Sequence, residues 1–346
     1  MITNKRIFHL AGFDLTSYSL SFYSCDRKIS DGLIKNNNIV KEFSYNDIIR
    51  MNSLIKSRKF FKNKGHEILF STIKNFQPEI ILIGHVNLSD EVMKKIKSLC
   101  PKAKIASWYV DPPELDRMNR YNILQKYIDI LFMTSGGNTI KVLKESFKDL
   151  PKIAFFPNPT DSSIDFHKSF LEENHKYDVM YCGSDKRYSN RRSFLEKVIE
   201  LTPKLNWFIA GSLGKPKVFG AEYYKVLSQT KFAINISKFS PNTYDFYSSD
   251  RISQLTGNGL LTFNQDFPSI SKLFNENEII IFNEPEELAE KLNYYHENKD
   301  IAKEIAQAGF KKAHFSYSSE RIAKFMLEAI YNKDFSENYE WKNEIY

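Results

Sequence analysis

The sequence predicts an α/β protein made of two doubly wound domains facing a central cleft. Three observations carry that prediction. The chain has 346 residues, enough for two domains of about 150 residues each. Short β-branched apolar runs alternate with amphipathic helical stretches almost from end to end. The runs lack in/out alternation, as strands buried on both faces of a parallel sheet do. The rhythm stops once, over residues 157–176 (PNPTDSSIDFHKSFLEENHK), where Pro, Ser, Asp and Asn cluster, and then it restarts.

Taken in order, the first domain (1–160) reads as strands at Arg6–Leu10, Ile80–Gly84, Lys104–Trp108, Ile130–Met133 and Ile153–Phe156. Helical patterns fall between them at His66–Phe76, Ser89–Leu99 and Asn138–Ser146. Residues 161–176 are the expected linker. The second domain (177–320) reads as strand Tyr177–Cys182, helix Asn190–Leu201, strand Asn206–Ile209, helix Ala221–Gln229 and strand Phe232–Ile236. A helical turn near Ser249–Thr256 follows, then strands Leu260–Phe263 and Ile279–Phe282 and helices Pro285–Asn298, Ile301–Gly309 and Ser318–Tyr331. Residues 321–346, the last helix and tail, are expected to pack back toward the first domain. In open α/β sheets ligands bind beyond the C-terminal strand ends, so those ends are where site residues are sought.

Composition excludes several classes. The chain is 42% hydrophobic and 26% charged, which is ordinary globular usage and not that of a disordered or fibrous protein. Lysine and arginine number 49 against 42 acidic residues, a net charge of +7. That excess is too mild, and too little interleaved with aromatics on one face, for a nucleic-acid binder; it suits anionic small ligands or an anionic membrane surface. Cys25, Cys100 and Cys182 form no CxxC pair, so neither a disulfide framework nor a zinc site is indicated, and reduced thiols of a cytoplasmic protein are expected. The N-terminal MITNKRIFHLAGFDL is no signal peptide, and no run approaches the ~20 apolar residues of a membrane span. Asp-x-Asp, HExxH, GxSxG and the P-loop pattern are all missing. No tightly held metal or other cofactor is expected.

Four stretches could carry chemistry. In YDVMYCGSDKRYSNRRSFLEKV a strand ends at Gly183-Ser184 and a helix begins near Asn190, with Arg187, Arg191 and Arg192 crowding the turn. This is either a diphosphate cradle at a helix N-terminus or an ordinary βα loop with solvated arginines. Gly211-Ser212 repeats the glycine–serine turn after the next strand. In SSDRISQLTGNGLLTF (248–263), Ser249 or Asp250 can cap a helix carrying Arg251 and Gln254, and Gly257 and Gly259 break it. Because that glycine turn precedes a strand, it is not a dinucleotide fingerprint. The first domain offers Gly12, Asp14, His85 and Asp111 at strand ends; Asp14, His85 and Asp111 are candidate general bases or else caps. Finally, SLIKSRKFFKNKGHE (53–67) places Lys56, Arg58, Lys59, Lys62 and Lys64 around Leu54, Ile55, Phe60 and Phe61. Read as a helix, it is either a peripheral membrane contact over 53–64 or a solvated cationic face.

The order and spacing of these stretches resemble a known family. CGS…NRRSFLE, Asn206–Ser212, FAINIS (232–237), DRISQLTGNGLLTF, EPEELAEKLNYYHEN and AGFKKAHFSYSSER look like the CgeB-like (spore maturation protein) branch of the GT-B glycosyltransferases, within the glycosyl transferases group 1. The segment Ile80–Glu114, ending in WYVDPP, is similar to the family's acceptor domain. The resemblance covers most of the chain and is stronger over 177–331.

That resemblance implies two Rossmann-like domains, an acceptor on the first and a nucleotide-sugar donor on the second. It assigns donor contacts to Gly183, Arg191, Gly211, Arg251 and the Gly257–Gly259 turn, with Ser184, Arg187 and Ser212 beside them. Where the family has Glu after Arg-x-x, this sequence has Gln254, which accepts a hydrogen bond without charge. The expected activity is metal-independent sugar transfer to a glycan, lipid-linked or protein acceptor in polysaccharide biosynthesis, in the cytoplasm or at the inner membrane face. The alternatives are a nucleotide-sugar epimerase or hydrolase, and a degenerate module that binds a glycan or a partner without turnover.

Overall fold

In the computed structural model, residues 2–52, 63–113, 118–186, 189–237, 243–247 and 249–346 are described. The chain begins β1 (Arg6–Ala11), α1 (Cys25–Lys35), β2 (Ile39–Ser44), α2 (Tyr45–Met51), α3 (Asn63–Phe76), β3 (Ile80–Ile83) and α4 (Asp90–Leu99). It continues through β4 (Lys104–Tyr109), α5 (Met118–Leu124), β5 (Ile130–Met133), α6 (Gly137–Ser146) and β6 (Lys152–Phe155). A second series follows: β7 (Tyr177–Cys182), α7 (Ser189–Leu201), β8 (Trp207–Ala210), α8 (Gly220–Ser228), β9 (Thr230–Asn235), α9 (Arg251–Gly257), β10 (Leu261–Gln265) and β11 (Ile280–Phe282). Helices α10 (Pro285–Glu297), α11 (Lys299–Ser316) and α12 (Ser319–Ile330) close the chain.

These elements form two compact units, Met1–Pro157 with Ser319–Tyr346, and Asn158–Ser318. Residues 161–176, expected as a linker, are part of the second unit. Ser169 and Phe170 donate their backbone N–H groups to Asn258 and Gly259 at 3.1 Å, fixing that stretch to the end of α9. Both sheets are parallel, with strand orders β2-β1-β3-β4-β5-β6 and β11-β10-β9-β7-β8. Counted from its own first strand, each runs in the order 2-1-3-4-5, with a sixth strand added at the end of the first sheet. Each therefore has one switch point where successive connections leave in opposite directions: between β1 and β3, and between β7 and β9.

The apolar runs form the inner strands because they are buried on both faces. All four residues of β3 (IILI) and of β5 (ILFM) are buried. The sequence pattern misses β2, whose IVKEFS alternates exposed with half-buried positions at the sheet edge. It also misses α1, because Gly32 interrupts the helical pattern. A Cβ at Gly32 would lie 2.0 Å from the Ser319 carbonyl oxygen, so α1 and α12 pack backbone against backbone there. The Asn36 amide donates to the Glu320 carbonyl at 2.8 Å in the same contact.

The C-terminal tail is held in the first unit. Ile153 and Tyr346 exchange both backbone hydrogen bonds, at 2.9 and 2.8 Å, and Phe155 N–H donates to Glu344 at 2.9 Å. This short antiparallel pairing covers the otherwise unpaired edge of β6. Phe325, Phe335, Tyr339 and Trp341 pack ring against ring behind it, with centroids 5.1–5.6 Å apart around Phe325.

Candidate functional site

Each switch point brings together residues that stand far apart in sequence. In the second unit, β7 ends at Cys182 and β9 at Asn235, and two arginines bridge the gap beyond them. Arg191, in the first turns of α7, is buried; its Nε donates to Ser237 O at 3.0 Å, Nη1 to Ser184 O at 3.0 Å and Nη2 to Ile236 O at 2.7 Å. Arg251, at the start of α9, donates from Nη1 to Cys182 O at 3.1 Å and from Nη2 to Ile236 O at 3.2 Å. Both charges are thus sunk into backbone carbonyls at the ends of the two strands. Arg251 also lies 5.8 Å from the Tyr181 ring centroid, a cation–π distance.

The two glycine turns interlock on that edge. Gly183 N–H donates to Ala210 O at 3.0 Å, the Ser212 hydroxyl donates to Gly183 O at 2.6 Å, and Leu213 N–H donates to Asp185 at 2.9 Å. A Cβ on Gly183 would come within 2.7 Å of both Arg251 Nη1 and the Tyr181 hydroxyl, so that position admits only glycine without moving the clamp. Gly211 needs its glycine for a different reason, a backbone φ of +77°. Cys182, on the same edge, has its thiol pushed up to about 12 by burial. Ser184 is half-buried in this edge, while Arg187 lies outside the described residues.

Gln254 is buried within α9. Its amide oxygen accepts from the Tyr223 hydroxyl at 3.0 Å and its amide nitrogen donates to Asp250 at 3.3 Å. An amide satisfies both neighbours; a carboxylate would face a second carboxylate. Gly257 and Gly259 are buried packing positions. Cβ atoms there would meet Thr160 Cγ2 and Phe170 Cδ1, each at 2.7 Å. A 260 Å³ pocket lined by His175, Lys231 and Lys303 lies at the opposite edge of this sheet, near the start of β9.

The C-terminal strand edge of the first unit, beside its switch point, holds different chemistry. His85 and Asp111, beyond β3 and β4, face each other at 3.9 Å, with side chains 30% and 26% exposed. The His85 ring packs on Tyr109 at 4.2 Å and edge-on to Trp108 at 5.7 Å. Arg120 fixes the β3 end by donating to Gly84 O at 3.0 Å and Val86 O at 3.2 Å, and to the Ser107 hydroxyl at 3.1 Å. Asp14 is apart from this pair. It adopts φ +57°, and its carboxylate accepts from Ser21 N–H at 2.6 Å, holding its own loop closed.

Two titratable groups here escaped the sequence reading. Asp26, in the first turn of α1, is buried; desolvation lifts its carboxyl to about 7, against hydrogen bonds from the Gly12 and Asp26 backbone. Its Oδ1 has no hydrogen-bond partner. His9, inside β1, is fully buried and held down to about 3, first by desolvation and then by the nearby Arg27 charge. The indole of Trp108 donates to its Nε2 at 3.2 Å, so the neutral ring carries its proton on Nδ1, toward the Ser30 hydroxyl at 2.8 Å. A lone carboxyl after a serine cap and a histidine in an apolar strand give no sequence signal of this kind.

Among the described residues no three His, Cys, Asp or Glu side chains converge as a metal site, and no helix is long and apolar enough to cross a membrane. The basic stretch 53–62 lies outside the described residues.

Comparison with known proteins places this geometry. Residues 187–328 match the family model described as glycosyl transferase-like. No curated protein is similar enough in sequence to register as a relative. Among solved structures, HepE from Anabaena in complex with UDP-glucose superposes with a TM-score of 0.65 at 10% identity, covering 95% of this chain and 100% of that one. Sucrose-phosphate synthase from Thermosynechococcus elongatus gives 0.63 at 9% identity, covering 95% and 98%. A Listeria monocytogenes chain, described as a candidate UDP-N-acetylglucosamine 2-epimerase, gives 0.55 at 12% identity, covering 97% and 100%. The chain therefore has the two-domain GT-B fold, and residues 187–328, most of them in its second unit, carry the sequence match to the glycosyl transferase-like family.

Proposed function

We propose that the protein is a metal-independent glycosyltransferase of the CgeB-like branch, moving a sugar from a nucleoside-diphosphate sugar to a glycan, lipid-linked or protein acceptor in polysaccharide assembly. One observation carries the reading: the family match over 187–328 falls mostly on the unit whose switch point is framed by two glycine turns and two arginine clamps. The backbone N–H groups of Ser184 and Ser212 and the N-terminus of α7 offer donors to a diphosphate, while Gly183 and Gly211 spend theirs on Ala210 and Pro216 in holding the turns. Arg191 and Arg251 hold those loops in place and add positive potential from behind. Gln254, Gly257 and Gly259 act from behind, keeping α9 and hence Arg251 in place by their buried bonds and packing, and Arg187 adds a cation by sequence.

In an inverting transfer the acceptor oxygen bonds the anomeric carbon as the bond to the diphosphate oxygen breaks. The His85 imidazole takes the acceptor proton, and the Asp111 carboxylate stabilises the imidazolium that results. Asp14 keeps the neighbouring loop in position. HepE, which superposes over its whole length, binds UDP-glucose, so UDP is the first nucleotide to test.

The test is a thermal-shift panel of UDP, GDP, dTDP, CDP and CMP with and without EDTA. A ligand at 100 times its dissociation constant adds about 2.7 kcal/mol of stability. One nucleoside diphosphate should stabilise the protein, unaffected by EDTA, and be released from its sugar when acceptor is added. Silence toward every nucleotide sinks the reading. The uncharged Gln254 favours a second one, a binding module, which predicts stabilisation without release for any acceptor.

A further inference from the structure

The transferase reading leaves the cavity at the other end of the second sheet without a role. Its 260 Å³ lie by the starts of β9 and β10, between the turn Ser169–Leu171 and the first turns of α11. The floor is apolar, made by Phe170, Phe232, Leu261, Ala302 and Ala306. The two alanines stand one helical turn apart on α11, and their short side chains leave the space open. Leu171, 58% exposed, stands at the rim.

The rim carries both signs of charge. Glu172 and Glu173 follow the turn on one wall, and Lys299 and Lys303 project from α11 on the other. Glu172 accepts from Asn174 N–H at 3.0 Å. Among the described residues, Glu173, Lys299 and Lys303 are exposed and have no charged or hydrogen-bonding side-chain partner. The other rim groups are engaged. Lys231 donates to Asp178 at 3.4 Å, the His175 ring bonds Ser169 O at 3.0 Å, and Asp300 sits in the first turn of α11, where a carboxylate offsets the helix end. A ligand that is only anionic would meet Glu172 and Glu173, and one that is only cationic would meet the lysines. A molecule with an ammonium, a carboxylate and an apolar body answers both walls and the floor. It must be small, since the volume is below the roughly 300 Å³ at which pockets for drug-sized ligands begin.

Both walls are tied to the end of α9. Ser169 and Phe170 donate to Asn258 O and Gly259 O, and from α11 the His314 Nε2 donates to Gly257 O at 2.9 Å. The rings of Phe170 and Phe310 join the two walls at 5.5 Å. Helix α9 has seven residues, a length of about 10 Å, and its first residue is Arg251, the clamp on Cys182 O and Ile236 O. A ligand that bridges the walls therefore bears on the far end of the helix that carries the clamp.

We propose that this cavity is an effector site for an α-amino acid with an apolar side chain, whose binding steadies α9 from its C-terminal end. The proposal goes beyond the transferase reading and needs no turnover.

The experiment is equilibrium dialysis of the full chain against L-phenylalanine and L-leucine. The single-charge analogues 3-phenylpropionate, phenethylamine, 4-methylpentanoate and isoamylamine serve as controls. The variant is Lys299→Glu/Lys303→Glu, two exposed positions near a helix start, where glutamate is tolerated. Amide hydrogen exchange over α9 is followed with and without the amino acid. Wild type should retain one of the two amino acids and bind its single-charge analogues at least tenfold more weakly. The variant should lose tenfold or more in affinity while its circular dichroism and melting stay those of wild type. Exchange over α9 should slow threefold or more in wild type on binding. The proposal is overturned if neither amino acid is retained, if an analogue or the variant does as well, or if exchange over α9 ignores the bound amino acid. UDP stabilisation, recorded alongside, tracks the transferase reading separately: its absence would sink that reading and leave these arms intact.

Discussion

The C-terminal strand edges around the two switch points occupy the same place in two sheets of like strand order, yet they are built from opposite materials. Between β7 and β9 the ends of the strands are cross-braced by guanidinium groups bonded to main-chain carbonyls, and the loops turn on Gly183 and Gly211. Beyond β3 and β4 of the first sheet, one strand along from its switch point, stand an imidazole and a carboxylate at 3.9 Å, both half-buried, over a floor of Trp108 and Tyr109. The first arrangement holds fixed charge and fixed N–H donors; the second can gain and lose protons. Topology places the crevice, and the side chains decide whether it works by static electrostatics or by proton transfer.

That contrast predicts which substitutions damage chemistry and which damage structure. The largest effect belongs to His85→Gln. It should lower transfer by about 10²–10⁴-fold, the range for a lost general base, while the melting temperature moves little because glutamine keeps a polar side chain of similar reach at this half-buried position. Equal loss of stability and activity would show that His85 is structural. Arg191→Ala should do the reverse first. Removing three bonds from a buried cation leaves carbonyls unsatisfied, costs about 3 kcal/mol or more and lowers melting by roughly 6–12 °C. A variant that melts like wild type would break the view of this arginine as a brace.

A third test separates the two titrating groups buried in the first unit. Between about pH 4 and 7 the folded chain keeps a proton on Asp26 that the unfolded chain has released, so stability falls as pH rises through that window. Between about pH 3 and 6.5 the unfolded chain binds a proton on His9 that the folded chain refuses, so stability is lost as pH falls through that range. Where the windows overlap the two slopes oppose each other. Asp26→Asn should remove the first, gain on the order of 3–4 kcal/mol at pH 8 and leave stability rising with pH. Denaturant titrations at several pH values read this directly, and an unchanged profile would refute it.

The smallest effect is expected at Gln254→Glu. It sets a carboxylate against Asp250, and the loss of the amide donor should cost about 1–2 kcal/mol below any gain in donor affinity. Asp250→Asn in the same chain should recover it; failure to recover would mean that Asp250 is not the group Gln254 serves.

Much of the fold was legible because buried parallel strands leave a strong mark. IILI and ILFM can be little else, and every strand of the second unit was found to within two residues at either end. The elements that were missed have a common cause. β2 is half solvated, and α1 contains a glycine that is explained only by Ser319, nearly three hundred residues on. The linker assignment went astray because residues 161–176 are irregular in conformation while being packed on the end of α9. Among the candidate site residues, the glycine turns and helix starts drew attention to Gly183, Gly211, Arg191 and Arg251, but they could not show that both guanidinium groups are turned onto backbone carbonyls.

By itself, then, the sequence determined the two parallel sheets and the turns that end their strands, because burial periodicity and glycine turns are local properties of the chain. Only the tertiary structure decided that the tail pairs strand-like with the edge of β6, that Gln254 answers to Asp250, and that Asp26 and His9 are held away from their ordinary protonation. Each of those depends on what lies beside a group in space, and desolvation and hydrogen bonding act over a few ångströms regardless of distance along the chain.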